Sequence, residues 1–272
     1  MNHEDSKNRF AETEEERYDE PSPEDFMFTE EELKQIEART KKRQAIFRVV
    51  GIFIAFLLII QGGYHLFDLW SYDARQLART SEQLSQEERI ASLKEAVVTI
   101  QAERSKGTGF VIAPNGYILT NHHVVHKKGP LAVIFPDGTI YHAQIVAMNE
   151  ALDIALLKVD GEHLPYLTVQ NERLRERDKI YVIGNPLSQT QIVNEGEIVN
   201  EEEPFQVMKI SNPIYPGHSG SPVLSETGDV IGVVYARTLP RFGEDESSYG
   251  LAVPMERVFE AIPIVSEIVR KR

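Results

Sequence analysis

From Val97 onward the chain predicts an all-β domain, a barrel or sandwich, preceded by a polar and helical N-terminal region. Two observations carry this reading. Short apolar runs follow one another from Val97 to Val253, separated by turn signals such as Pro114-Asn115-Gly116, Pro136-Asp137-Gly138 and Thr227-Gly228-Asp229. About a dozen short strands at such spacing fit a barrel or sandwich and do not fit a β-α-β sheet. A third observation sets the N-terminal region apart: a single uncharged apolar block, Val49 to Ile60, stands upstream of the β pattern.

Residues 1–45 read as an acidic, mostly disordered tail. Glu14-Glu15-Glu16, Pro21-Ser22-Pro23 and Glu30-Glu31-Glu32 offer too little apolar surface to offset the entropy of ordering. A short helix over Thr29 to Arg43 is compatible with this tail, with Thr29 as cap and basic residues at the far end. Residues 46–70 read as a membrane anchor. Val49 to Phe67 gives about 19 residues, roughly 28 Å as a helix against a ~30 Å hydrocarbon core. Tyr64, Phe67 and Trp70 stand where an interfacial aromatic belt is expected. Lys41, Lys42, Arg43 and Arg48 precede the span, while only Arg75 and Arg79 follow it closely, so the N-terminus is expected in the cytoplasm and the C-terminal bulk outside it. A long acidic leader and the lack of a small-residue cleavage site argue against a removed signal peptide.

Residues 71–96 read as a helical stalk, with Leu77, Leu84, Ile90 and Leu93 at roughly helical intervals and Ser85 with Glu88 as a capping box. Strands are then predicted over Val97–Gln101, Gly109–Ala113, Tyr117–Thr120, Leu131–Phe135, Thr139–Met148, Ile154–Val159, Lys179–Ile183, Phe205–Ile210, Pro222–Leu224, Val230–Tyr235 and Tyr249–Val253. Met255 to Arg272 reads as helix, with Pro263 able to break it.

Charge and composition narrow the function. The 272 residues carry 29 Lys+Arg against 42 Asp+Glu, a net charge of -13, which gives no general attraction for nucleic acid. With no cysteine, disulfides, thiolate metal sites and cysteine nucleophiles are excluded.

Three polar segments interrupt the β pattern. In Tyr117-Ile118-Leu119-Thr120-Asn121-His122-His123, a strand delivers two histidines at its end. A single histidine is more often structural than catalytic, and a metal site at His122, His123 and His126 lacks the Glu of a His-Glu-x-x-His helix. In Leu152-Asp153-Ile154-Ala155-Leu156-Leu157, a carboxylate within an apolar run needs a dedicated partner, or else is a loop residue before the strand. In Pro216-Gly217-His218-Ser219-Gly220-Ser221-Pro222, glycines flank a serine in a turn able to aim backbone N–H groups inward, although serine in a glycine turn is commonly just a turn. It lacks the Gly-Lys-[Ser/Thr] of a phosphate loop.

Read together in the order His, Asp, Ser, these segments resemble the trypsin-like serine peptidases, and within them the HtrA (high-temperature-requirement) branch. Gly107-Thr108-Gly109-Phe110 is similar to the branch's Gly-Ser-Gly-hydrophobic motif. Thr120-Asn121-His122-His123-Val124-Val125 is similar to its Thr-Asn-x-His-Val-Val, and Leu152-Asp153-Ile154-Ala155-Leu156-Leu157-Lys158 to its aspartate motif. Ile183-Gly184-Asn185-Pro186 resembles an intervening structural loop, and Tyr249-Gly250-Leu251-Ala252-Val253-Pro254 the strand bordering the specificity pocket. Gly217-His218-Ser219-Gly220-Ser221-Pro222 resembles the nucleophile motif Gly-Asn-Ser-Gly-Gly-Pro. His218 and Ser221 depart from that motif and imply a stiffer turn; Ile210-Ser211-Asn212 stands where Thr-Asp-Ala is common, and Leu187-Ser188-Gln189 lacks a glycine that relatives often carry. The residues after Pro254 are too few for the PDZ domain the branch usually appends.

The resemblance implies a double six-stranded β-barrel over residues 97–272, with 97–170 as first barrel, 171–254 as second and 255–272 as a C-terminal helix. It implies His123, Asp153 and Ser219 as catalytic residues, the N–H groups of Gly217 and Ser219 as oxyanion hole, and Ile210, Tyr249 and Leu251 near the substrate pocket. No acidic residue lies in those pocket motifs, so small or medium apolar side chains are expected before the scissile bond. The implied function is a membrane-tethered, extracytoplasmic, bacterial endopeptidase acting on misfolded protein, without cofactor or metal and compatible with a homotrimer. The alternative is a protease-fold holdase or binding module that has lost efficient catalysis. A third reading makes the acidic cytoplasmic tail the functional part of a scaffold.

Overall fold

The computed structural model describes residues 29–103, 105–126, 129–171, 175–202, 207–238 and 248–272. The expected disordered tail thus lies outside the described residues up to position 28, as do the side chains of Tyr64, Phe67 and Trp70. The chain divides into two units at Phe67/Asp68. In the first, helix α1 (Glu30–Leu84) carries the apolar block. Within its Leu33–Gln61 stretch an 18-residue window reaches a mean hydropathy of 2.1, so the helix is long and apolar enough to cross a membrane.

In the second unit, α1 runs on to Leu84 and is followed by α2 (Glu88–Glu95). Leu77 and Ser81 are buried near the end of α1, and Ile90 is fully buried in α2, so both helices are packed elements of this unit. The expected capping box does not form. Ser85 belongs to the end of α1: its hydroxyl donates back to the Ser81 carbonyl at 2.6 Å and accepts from Lys94 Nζ at 2.8 Å, while the residue capping α2 is Glu87. The Ser81 carbonyl, which also accepts the Ser85 N–H at 2.9 Å, takes the hydroxyl as a second donor, the local i−4 back-bond that serine makes in helices.

Twelve strands form two closed antiparallel barrels. The first comprises β1 (Val97–Gln101), β2 (Lys106–Ala113), β3 (Tyr117–Thr120), β4 (Ala132–Ile134), β5 (Ile140–Asn149) and β6 (Ile154–Val159). The second comprises β7 (Lys179–Gly184), β8 (Ile192–Glu202), β9 (Val207–Ile210), β10 (Pro222–Ser225), β11 (Val230–Arg237) and β12 (Gly250–Pro254). Their neighbour orders, β1-β2-β3-β6-β5-β4 and β7-β8-β9-β12-β11-β10, are the same topology used twice.

Strand alternation explains why several of these segments are apolar on both faces. Val98, Ile100, Val111, Ile118, Val133 and Leu157 fill the first barrel, and Ile180, Val182, Met208, Val223 and Ile231 the second. Their neighbours Val97, Phe110, Ile112, Leu119, Leu156, Ile183, Leu224 and Val233 face outward into a third cluster shared with Ile90 and the C-terminal helices. Those helices, α4 (Met255–Ala261) and α5 (Pro263–Lys271), contribute Val258 and Val265 to it and are separated at Ile262, directly before Pro263. Proline supplies no N–H and disfavours helical geometry in the residue before it, which accounts for the break.

Candidate active site

Register brings the histidine and aspartate segments together. β3 and β6 are neighbours, and Thr120 pairs with Ala155, so the residues that follow Thr120 lie beside those that precede Ala155. There the chain turns into the short helix α3 (His122–Val125), anchored by the buried Val124 and Val125. Four hydrogen bonds then join residues 121–123 to Asp153. Its Oδ1 accepts from the His123 backbone N at 2.8 Å, and its Oδ2 lies 2.5 Å from His123 Nδ1. Its carbonyl accepts from the His122 N–H at 3.1 Å and from Asn121 Nδ2 at 2.8 Å.

Asp153 achieves this with φ of 55°, in the left-handed region that Asp tolerates better than most side chains. The carboxylate is thus the dedicated partner its position in an apolar run requires. Because an ionised carboxylate only accepts, Nδ1 of a neutral His123 carries the proton and Nε2 keeps its lone pair. The His123 side chain is 46% exposed, open to a reacting group. His122 has no part in this pairing through its ring, which lies 5.4 Å from that of His126.

Ser219 comes from the other barrel, in the connection between β9 and β10. Its turn can be followed one peptide group at a time. The Pro216 carbonyl accepts from Leu187 N, the Gly217 carbonyl from Thr108 Oγ1 at 2.7 Å, the His218 carbonyl from Ser221 N, and the Ser219 carbonyl from Thr108 N at 2.9 Å. The N–H of His218 goes to the Tyr215 carbonyl, that of Gly220 to Val234 and that of Ser221 to His218. Two N–H groups remain. Among the described residues, those of Gly217 and Ser219 donate to no group within the chain. Since the peptide is planar and trans, fixing the Pro216 carbonyl on Leu187 turns the Gly217 N–H the opposite way.

Glycine is required at two points of this turn. Gly217 has φ of 104° and a side chain there would meet the Asn185 carbonyl at 2.5 Å. Gly220 has φ of 85° and a side chain there would meet the Thr108 carbonyl at 2.1 Å. Both conformations disfavour residues with a Cβ.

His218, the unusual residue of the turn, is fully buried. Its Nδ1 accepts from the Tyr215 N–H at 3.0 Å, and burial lowers its pKa to about 4, so the ring is neutral at pH 7. With Nδ1 accepting, Nε2 carries the proton; the Asn194 Nδ2 group 3.5 Å away is itself a donor and a neighbour of the ring, not its acceptor. Ser221 Oγ is buried over Gly184, where any side chain would lie 2.1 Å from it. Both departures from the nucleophile motif thus lie beneath the turn, His218 bonded to Tyr215 and the buried Ser221 hydroxyl without a hydrogen-bond partner among the described residues.

The three residues expected at the substrate pocket do not share a wall. Ile210 pairs with Gly250 and is fully buried inside the second barrel. Leu251 pairs with Lys209, and Tyr249 lies 4.2 Å below the Lys209 ammonium. Alternation therefore puts Tyr249 and Leu251 on one face of the β9–β12 pair and Ile210 on the other. Sequence reasoning missed Thr108 and Asn185, although both sit in motifs it singled out, Gly107-Thr108-Gly109 and Gly184-Asn185-Pro186.

A family model described as a trypsin-like peptidase domain matches residues 107–233. The chain is 38% identical over 144 residues to a probable periplasmic serine endoprotease, DegP-like, of Chlamydia trachomatis, covering 49% of this chain and 28% of that protein. It is 30% identical over 165 residues to the putative serine protease HhoB of Synechocystis, covering 57% and 38%. The crystal structure of the serine endoprotease from Yersinia pestis superposes with a TM-score of 0.58 at 26% identity, over 67% of this chain and 65% of that one. The HtrA-type protease AlgW, solved as a variant with a tripeptide, superposes with a TM-score of 0.57 at 26% identity, over 63% and 60%. The chain thus spans well under half the length of the curated relatives it matches. Two six-stranded barrels, the His–Asp pairing and the glycine-bracketed serine all fall within this likeness, and together these similarities support an HtrA-type serine protease of trypsin-like fold.

Proposed function

We propose that this protein is a membrane-tethered, extracytoplasmic serine endopeptidase in which Ser219 is the nucleophile, His123 the general base and acid, and Asp153 its orienting partner. Ser219 Oγ attacks the peptide carbonyl while His123 Nε2 takes its proton. The imidazolium so formed is stabilised by Asp153 and returns the proton to the leaving amine, giving an acyl-enzyme. Water, activated by the same imidazole, then releases the acid product. The N–H groups of Gly217 and Ser219 bind the oxygen that becomes negative; one such donor is typically worth about 3 kcal/mol of barrier.

One observation carries this reading: the turn around Ser219 engages its other peptide groups and leaves these two donors uncommitted. It also weighs against the holdase alternative, because His218 and Ser221 fit beneath the turn without using either donor. The apolar stretch of α1, with basic residues on its N-terminal side, supports a tether with the protease domain outside the cytoplasm, and the periplasmic designation of the Chlamydia relative agrees with that side. Residues 46–70 then serve as anchor, and the expected stalk, 71–96, packs from Leu77 onward against the catalytic domain of residues 97–272. Unfolded protein is the substrate class we favour.

Labelling by a fluorophosphonate probe tests the reading. The wild-type chain should be modified at Ser219 and should hydrolyse casein; Ser219→Ala should do neither while keeping its fold. Casein hydrolysis by Ser219→Ala at the wild-type rate would refute the assignment.

A further inference from the structure

Thr108 stands where the two halves of the site meet, and it is fully buried. All of its polar groups are engaged. The hydroxyl accepts from the Asn185 N–H at 3.0 Å and donates to the Gly217 carbonyl at 2.7 Å. The backbone N–H donates to the Ser219 carbonyl at 2.9 Å, and the backbone carbonyl accepts from Thr120 Oγ1 at 2.7 Å. Thr120 ends β3, three residues before His123. One residue of the first barrel therefore holds two carbonyls of the nucleophile turn, the loop after β7 and the strand that delivers the histidine.

From this geometry we propose that Thr108 is a positioning residue for the proteolytic reaction, and that its hydroxyl fixes the orientation of the oxyanion donors. The proposal rests on the reading of Ser219 and its turn given above. Holding the Gly217 carbonyl fixes the plane of the peptide that joins Gly217 to His218. Holding the Ser219 carbonyl fixes the next peptide but one. The Ser219 N–H belongs to the peptide between these two clamped planes and the Gly217 N–H to the peptide just before the first, so their aim depends on them. The hydroxyl acts as donor and acceptor together, which valine, the nearest isostere, cannot do. Without it the Gly217 carbonyl loses its partner and the Asn185 N–H loses its acceptor, both in a buried setting where unpaired groups force rearrangement. Thr108 touches no substrate in this scheme; it acts through the turn.

The test compares Thr108→Val and Thr108→Ser with wild type, as full chains in detergent, using a peptide ester substrate, fluorophosphonate acylation and amide hydrogen exchange. Displacement of a reacting group by even part of an ångström costs rate steeply, so Thr108→Val should lower kcat by roughly tenfold to a hundredfold, with KM changed less than about twofold. Thr108→Ser should stay within about threefold of wild type. Exchange protection of the His218 and Gly220 amides should fall in Thr108→Val and persist in Thr108→Ser. If Thr108→Val does not fold, Thr108→Ala set against Thr108→Ser reads the same hydroxyl with less bulk. A wild-type kcat in the variant lacking the hydroxyl, or equal losses with and without it, overturns the proposal. Absence of acylation in the wild type overturns the underlying reading instead, and the exchange data then still decide whether the hydroxyl holds the turn.

Discussion

Lowering the pH should destabilise this protein through one residue, His218. In the folded chain its ring is fully buried and accepts the Tyr215 N–H through Nδ1, and burial lowers its pKa from 6.5 to about 4. In the unfolded chain it titrates near 6.5. Between these values the unfolded state binds a proton that the folded state does not, so stability falls as pH drops below 6.5 and the loss levels off below 4. Linkage over this interval gives a loss of about 2–3 kcal/mol by pH 4.5. The assay is denaturant unfolding of the full chain in detergent from pH 8 to pH 4.5, for wild type and His218→Asn. Asparagine can still accept the Tyr215 N–H and does not titrate, so the other ionisable groups cancel in the difference. The stability gap between the two proteins should shift by about 2–3 kcal/mol in favour of His218→Asn across the range. Parallel stability curves would refute the buried, neutral histidine and with it the account of how the turn is held.

Asp153→Asn should lower kcat by about four orders of magnitude with little change in thermal unfolding, because the amide presents a different donor pattern to His123 Nδ1 and favours the wrong tautomer; steady-state kinetics on a peptide ester would show it. Gly220→Ala should lose activity and about 2 kcal/mol or more of stability, since the added carbon meets the Thr108 carbonyl at a φ of 85°; denaturant unfolding with an activity assay reads both.

Much of this architecture was legible because the chain repeats simple signals. β1, β3 and β6 have the bounds that their apolar runs predict, and Pro263 marks the break between the C-terminal helices. β8 was not legible. Asn194-Glu195-Gly196-Glu197 and Asn200-Glu201-Glu202 carry too few apolar residues to signal a strand, and none is predicted there, yet ladders to β7 and β9 hold them extended. Strand identity there comes from neighbours, which a local pattern does not contain. At the site, the His, Asp and Ser segments announced themselves as polar interruptions of apolar runs. The bonding of the His and Asp segments depends on the Thr120–Ala155 register, and the Ile210–Gly250 register divides the expected pocket trio between two faces, neither of which spacing along one chain reveals.

The helices ahead of the first barrel are bonded into the second. Ser81 Oγ accepts the Val193 N–H at 3.0 Å, and the Lys94 carbonyl accepts Gln191 Nε2 at 2.7 Å, while the Gln191 N–H in turn reaches Asn185 Oδ1 at 2.8 Å. A fragment trimmed to begin at Val97 would strand these donors and uncover the pocket that Ile90 fills. The leader is thus no slack leash: whatever pulls on it pulls on the floor beneath the Ser219 turn, and a shortened version of the chain has to keep it from Leu77 onward.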